Sequence, residues 1–416
     1  MTKPTATSRF CATRRDFLQS LTAGASVVSL GSSLPLFWQQ AASGQLAEHS
    51  DSILVVLQLT GGNDGLNTVI PFRDEEYARL RPTLAITADA VHKLNDDCGF
   101  HPAMTGLSEL FASGAVSVIH GVGYANPNRS HFESMDIWHT AQRKSQRIGT
   151  GWLGRVFDQQ AVVAGGDSLG MHLGGEKQPL ALAGARVRVP SIKSLKGFRL
   201  DTSGQPLTAD AIASLNQLER KQRGSLLDFV QTTTATALQT SRQIEAIVQD
   251  AEESSYPASE LGQKMRAIAQ LIDAGLATRV YYVTLDGFDT HAQQAAAHEA
   301  LLRQWSEAVT SFQRDLVARG HGDRVVTMVF SEFGRRVKEN ASRGTDHGTA
   351  APVFLIGSRV RGGFCGDQPP LQDLDTGDLK FHTDFRCVYA CVLEKWLGWN
   401  SRELLDGDYN PVDAIV

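Results

Sequence analysis

The chain has 416 residues, 42% hydrophobic and 20% charged, with 45 acids against 40 bases. Ordinary apolar content and modest charge exclude a collagen-like or disordered chain. The acid surplus gives no bulk attraction for nucleic acid, and five cysteines are too few for a disulfide framework.

Residues 1–46 read as an export signal. Arg14 and Arg15 precede Asp16-Phe17-Leu18, a mildly apolar run follows to about Trp38, and small residues lie at Ala41-Ala42-Ser43. That is the layout of a twin-arginine signal, which predicts a periplasmic or secreted protein and the twin-arginine translocase as a partner during export. Gln19, Thr22, Pro35 and several glycines and serines make the run too polar for a stable membrane span. No later segment is apolar enough to cross a bilayer. The leader is basic, so the mature chain carries a net charge near −8. Of the four cysteines that remain, Cys387 and Cys391 fall four apart on an expected helix and read as buried apolar residues. An oxidising compartment leaves one or two disulfides conceivable for Cys98, Cys365, Cys387 and Cys391.

Past the leader, apolar β-branched runs predict buried strands at 53–59, 115–119, 279–285 and 325–330. Between them, helical patterns cover about 103–112, 208–250, 258–275, 293–319 and 384–397. This alternation predicts an α/β fold with a largely parallel central sheet and helices on both faces. The polar stretch of about 150–260 reads as a mostly helical insertion or lid outside the sheet. Residues 47–416 then form one large domain.

Each predicted strand runs into a polar cluster. The first meets Thr60-Gly-Gly-Asn-Asp64, and the second meets His120 and then Asn126-Pro-Asn-Arg-Ser-His-Phe132. The third meets Asp286-Gly-Phe-Asp-Thr-His291. The fourth meets Ser331-Glu-Phe-Gly-Arg335, with Thr345-Asp-His-Gly348 just beyond. Parallel sheets bind ligands outside the carboxyl ends of their strands. Asp64, Asp286, Asp289, His291, Glu332, Asp346 and His347 supply oxygen and imidazole donors, a set suited to zinc, manganese, magnesium or calcium rather than to thiolate-loving metals. The bland readings are turn residues for Asp64 and Asp286, a helix cap for Asp289, a surface histidine for His291, and a structural ion pair between Glu332 and Arg335. Ser130-His131 is the candidate nucleophile region. Ser130 is also placed to cap the helix expected over 131–141, and a helix N-terminus there favours an anionic group. Ser134 and Thr140 are weaker alternatives, while Trp138 and His139 read as packing residues.

These segments, in this order, resemble the bacterial domain of unknown function 1501 family over nearly the whole mature chain. That family is in turn similar to the alkaline phosphatase and sulfatase superfamily. The resemblance implies an alkaline-phosphatase-like fold, Asp64, Asp289 and His291 as metal ligands, Ser130 as nucleophile, and His347 as the last histidine of the first metal site. Glu332 stands where the superfamily has an Asp-His pair, so one ion, or two with altered ligands, are both consistent. No cysteine stands in a sulfatase-like nucleophile context, which argues against formylglycine chemistry.

The resulting expectation is an exported metal-dependent hydrolase of phosphate or sulfate esters, acting on a small-molecule or glycan ester. Ser130 would attack, with Arg129 or Arg335 clamping the transferred group, and Asp64, Asp286, Asp289, His291, Glu332 and His347 as metal ligands or their supports. The competing expectation is a non-catalytic periplasmic binding or envelope-assembly protein on a degenerate hydrolase fold.

Overall fold

A computed structural model describes residues 51–146, 149–160, 169–193 and 255–416. Residues 1–46, where the sequence predicts an export signal, and the helix expected over 208–250 lie outside the described residues. The strands of the central sheet are β1 (Ile53–Thr60), β2 (Val116–Gly123), β3 (Gly170–Leu173), β4 (Ser191–Ile192), β5 (Val280–Asp286), β6 (Val325–Phe330), β7 (Ala351–Ile356), β8 (Gly363–Cys365) and β9 (Thr383–Asp384). Their order across the sheet is β8-β2-β7-β6-β1-β5-β3-β4, with β9 also paired to β2.

β1 pairs in parallel with β5 and β6, and β5 pairs in parallel with β3. Only β7 among these runs antiparallel, to both β2 and β6. Its reversed direction matters for the site. An antiparallel strand begins at the edge where its parallel neighbours end, so the segment before Ala351 arrives beside the carboxyl ends of β1, β5 and β6.

Alternation along β1 explains why its sequence is apolar throughout. Ile53, Val55, Leu57 and Leu59 enter one core, and Leu54 and Val56 enter the other. The first core is covered by α1 (Thr105–Ala112), α4 (Glu260–Asp273) and α5 (Gln294–Ala318). The second is covered by α2 (His131–Thr140), α3 (Trp152–Gln160) and α6 (Phe385–Cys391). In that second layer Trp138 stacks on Phe330 and Phe385 at centroid distances of 4.9 and 4.5 Å, fixing α2 against the sheet. The expected mixed α/β architecture with a mostly parallel sheet is what forms. Among the described residues no helix is long and apolar enough to cross a membrane.

The structure departs from expectation in two places. β2 continues to Gly123, so His120 lies within the strand, buried and stacked 5.1 Å from Phe364, and not in the loop at the strand end. The described part of 150–260 is also not purely helical. Its segments 170–173 and 191–192 join the central sheet as β3 and β4, because Met171 and Leu173 alternate into the first core. The four described cysteines are free thiols, with Cys98 and Cys391 buried.

Candidate metal centre

Three loops and one helix start meet at the carboxyl edge. After β5 the chain turns at Gly287 and buries Phe288, which leaves the Asp289 side chain half-exposed. The loop after β1 presses against it. Gly61 has φ +115°, and a Cβ there would stand 2.4 Å from the Asp289 backbone nitrogen, so only glycine fits. Gly344 allows a similar approach to His291, whose carbonyl carbon would lie 2.3 Å from an added Cβ.

Asp289 Oδ1 is the hub. His291 Nε2 lies 3.0 Å from it, His347 Nε2 3.1 Å and His131 Nε2 3.3 Å. His291 Nε2 and His347 Nε2 are themselves 2.9 Å apart. Donor atoms of His131, Asp289 and His347 all lie within 4.8 Å of one another. His131 Nε2 is buried and has no hydrogen-bond partner among the described residues.

The other nitrogen of each ring has an acceptor behind it. His131 Nδ1 is 2.8 Å from Glu332 Oε1, His347 Nδ1 is 2.8 Å from the Arg129 carbonyl, and His291 Nδ1 faces Asp346 Oδ1 at 3.5 Å. A carboxylate or carbonyl only accepts, so each Nδ1 is assigned the proton and each neutral ring presents a bare Nε2 lone pair. Three lone pairs and a carboxylate oxygen then face one small volume. Arg335 offsets part of their repulsion from beside Asp289, and a cation among the Nε2 atoms would offset the rest. Imidazole Nε2 donors backed at Nδ1 by carboxylate or carbonyl are the pattern of metal-ligating histidines. The residues present therefore fit a divalent ion.

The electrostatics follow the contacts. In the metal-free chain burial raises the Asp289 carboxyl, but the Arg335 hydrogen bond, the bond from His347 when its Nε2 carries a proton, and the Arg335 charge outweigh it and bring it down to about 2. The hydrogen bond to Glu332 raises His131 above its ordinary value, whereas burial lowers His347.

The remaining expected site residues take other places. Asp64 is buried, and its Oδ2 accepts from Arg81 Nη1 at 2.6 Å and from Gln294 Nε2. The Arg81 side chain is itself fully buried, so Asp64 already has its cation and is not brought to the cluster. Burial pushes the Asp64 carboxyl up, and the Arg81 charge and hydrogen bond more than reverse this. Asp286 is exposed, accepts from its own neighbour Gly287 N–H at 2.8 Å, and lines a cavity instead. Glu332 is 1% exposed and fully occupied. Oε1 accepts from Gly61 N–H at 2.9 Å as well as from His131, and Oε2 accepts from the Ser331 hydroxyl at 3.1 Å. It supports His131 from behind.

Arg335 is likewise buried. It donates to the carbonyls of Gly61, Gly62, Phe288 and Thr345 and to Asp289 Oδ1, which ties the loops together and leaves little for a substrate. The Arg129 side chain is 42% exposed and pairs with the buried Asp378. Ser130 is exposed at the start of α2, and its hydroxyl makes no capping bond.

The family model for proteins of unknown function designated DUF1501 matches residues 51–379. The chain belongs to the DUF1501 family. Comparison with curated proteins gives no match. Solved structures similar to this DUF1501 chain include an alkaline phosphatase superfamily protein from Vibrio parahaemolyticus, at 9% identity and TM-score 0.35, which covers 77% of this chain and 63% of that one. The PsFucS1 sulfatase from Pseudoalteromonas sp. is similar at 9% identity and TM-score 0.37, covering 93% and 75%. The lipoteichoic acid synthase LtaP from Listeria monocytogenes is similar at 9% identity and TM-score 0.38, covering 80% and 75%. The chain spans less than two thirds of the first of these proteins, and the functional reading rests on its own residues.

One residue of this DUF1501 centre escapes the sequence reading. His131 stands beside the nucleophile candidate in Arg129-Ser-His-Phe132, yet its role needs Glu332, which is 201 positions away. The available signal is a histidine at the first position of a helix that follows a buried strand, directly after an uncapped serine.

Proposed function

We propose that this chain is an exported metal-dependent hydrolase of phosphate or sulfate esters, with one divalent cation held by His131, Asp289, His291 and His347. The observation that carries the reading is the convergence of three Nε2 atoms on Asp289 Oδ1, two of them backed at Nδ1 within 2.8 Å and the third facing a carboxylate. Three imidazoles and a carboxylate suit zinc better than magnesium or calcium, which want oxygen donors. A single ion fits better than two, because Arg81 neutralises Asp64 and Glu332 is spent on Gly61, Ser331 and His131.

A bound cation would supply positive charge to the transferred group and lower the pKa of a nearby hydroxyl. The chain supplies the rest. Ser130 lies next to His131 in sequence, with its backbone N–H held by Asn128 Oδ1 at 2.8 Å and its hydroxyl free of capping duty. Its oxygen would bond to phosphorus or sulfur as the alcohol leaves, and water would then release the acid from the serine. The N-terminus of the ten-residue α2 favours the anionic group at that point. Arg129, on the same turn, is the arginine with exposed surface and would hold the equatorial oxygens.

One observation favours a binding role instead. Four protein donors, if all held one ion, would leave it no open position, as in structural zinc sites. The same experiment separates the readings. Purified protein is analysed for metal and screened on phosphomonoesters, phosphodiesters and sulfate esters. The hydrolase reading expects about one ion per chain, turnover abolished by chelator and restored by metal, and loss of turnover in Ser130→Ala. Metal-free purified protein, or turnover indifferent to chelator and to Ser130→Ala, would overturn it. Stoichiometric metal with no turnover on any ester class would establish the binding role.

A further inference from the structure

An open cavity of about 1000 Å³ lies against the metal centre, with His131 and Glu332 in its wall. α2 turns one stripe of side chains into it, Phe132, Met135, Asp136 and His139, at the i, i+3, i+4 and i+7 spacing of a single helix face. Phe132 is 87% exposed, the most exposed large apolar side chain among the described residues. An isolated phenyl ring held out beside a polar site has surface to gain from a ligand.

The far wall is a second cluster, separate from the histidine centre. Glu176 Oε1 accepts from Thr284 Oγ1 and has Lys264 Nζ at 3.5 Å. The Lys264 side chain is only 8% exposed and also reaches Glu260 at 3.0 Å. His172 is completely buried. Its Nδ1 lies 3.0 Å from Ser191 Oγ, but its Nε2 has no hydrogen-bond partner among the described residues and faces Glu176 Oε1 from 3.6 Å, past bonding reach. His172 stands behind this wall and faces Glu176 from inside the protein, while Glu176 and Lys264 line the cavity itself.

The charges narrow the ligand. Asp136, Glu176, Glu260 and Asp286 line the cavity and repel a polyanion. Lys177 and Lys264 line it too and disfavour an ammonium group. Paired acceptors and donors with an aromatic face suit hydroxyls, each of which donates one hydrogen bond and accepts others, on a ring whose C–H face lies on Phe132. We infer that the cavity is a subsite for an uncharged, hydroxyl-rich ring, a neutral sugar, stacked on Phe132 and read by Glu176 and Lys264. The inference deepens the ester-hydrolase reading by assigning the alcohol part of the substrate, and rests on that reading only for where the ester lies.

Calorimetric titration of the full chain tests it, with metal and after chelation, using maltotriose, cellotriose and chitotriose as neutral probes and a heparin hexasaccharide as the polyanion. Saturable binding of at least one neutral trisaccharide is expected in both metal states, with none for heparin. Phe132→Ala and Glu176→Gln should each weaken that binding about tenfold while metal content stays unchanged. Phe132 is exposed, so its truncation leaves both cores intact. No binding of any neutral trisaccharide, a preference for heparin, or binding that survives both substitutions would overturn the inference. Failure of the hydrolase reading is distinguishable, because it removes metal or turnover and leaves sugar binding in place.

Discussion

Asp64 and Asp289 both follow the carboxyl ends of paired parallel strands, β1 and β5, and both are crowded by nitrogen donors. Their surroundings are opposite. Asp64 is 1% exposed and its Oδ2 is locked to Arg81, a cation built into the chain, and to Gln294, while its buried Oδ1 has no partner among the described residues. Asp289 is 49% exposed and meets three imidazoles, none of which carries a fixed charge. Arg335 also reaches it, but that guanidinium is spread over four backbone carbonyls as well. One aspartate has its charge balanced by folding alone. The other has one contact with a shared guanidinium and three neutral rings around it, and a cation there would complete its balance. Sequence type does not separate them, since both are aspartates in glycine-rich strand-end loops; the second ring of partners does.

The largest effect should come from breaking the closed pair. Arg81→Met leaves Asp64 charged and buried without a cation, which costs about 3–5 kcal/mol of folding stability. Chemical denaturation should show that loss, while metal bound per folded molecule stays at the wild-type level. An Arg81→Met protein that folds normally but loses its metal would reverse the roles assigned to the two aspartates.

Next comes the open hub, through its supports. Glu332→Gln keeps an acceptor for Gly61 N–H but removes the charge that orients and polarises His131. Metal affinity should fall about 10–100-fold, as for other groups that hold a ligating histidine from behind. Competition against a chromogenic zinc chelator at neutral pH measures this. Asp346→Asn should do less, under about tenfold, because Asp346 stands 3.5 Å from His291 Nδ1 where Glu332 stands 2.8 Å from His131 Nδ1. Equal effects of the two substitutions would mean that distance is not what grades the supports.

The same contrast divides the legible part of the sequence from the rest. The strand-end placement of Asp289, His291 and His347 could be read, because apolar runs fix where strands end and glycine clusters mark the loops beyond them. β7 could not be placed from its own residues. Its direction decides that His347 arrives at the carboxyl edge, and Pro352-Val-Phe-Leu-Ile356 looks the same run either way. Nothing local reveals that Arg81, 17 positions downstream on the turn after a short helix, claims Asp64, or that Arg335 and Glu332 are consumed by Gly61 and Gly62 more than 270 positions away. A buried charge announces itself in sequence; the partner that neutralises it does not. His131 was hidden for that reason, since only the folded chain brings Glu332 behind it.

The smallest effects separate the two aspartates by pH. Asp64 has a folded pKa depressed below 3.8 because the Arg81 charge and hydrogen bond outweigh burial. A depressed carboxylate contributes stability that is present above its unfolded value and lost as pH falls through the folded one. The stability gap between wild type and Asp64→Asn should therefore hold from neutrality down to about pH 5 and close progressively below 3.8. Melting temperatures of both proteins across that range check it. The open hub answers at higher pH and with the reverse dependence on protons. In the metal-free chain the His131 pKa is raised above 6.5 by Glu332, so its own contribution to stability is present below 6.5 and lost as pH rises through the raised value. A metal must displace that proton, so metal uptake should weaken as pH falls through the same window, one proton released per ion from His131. If uptake stays flat between about pH 8 and 5.5, the His131 ring is not a ligand.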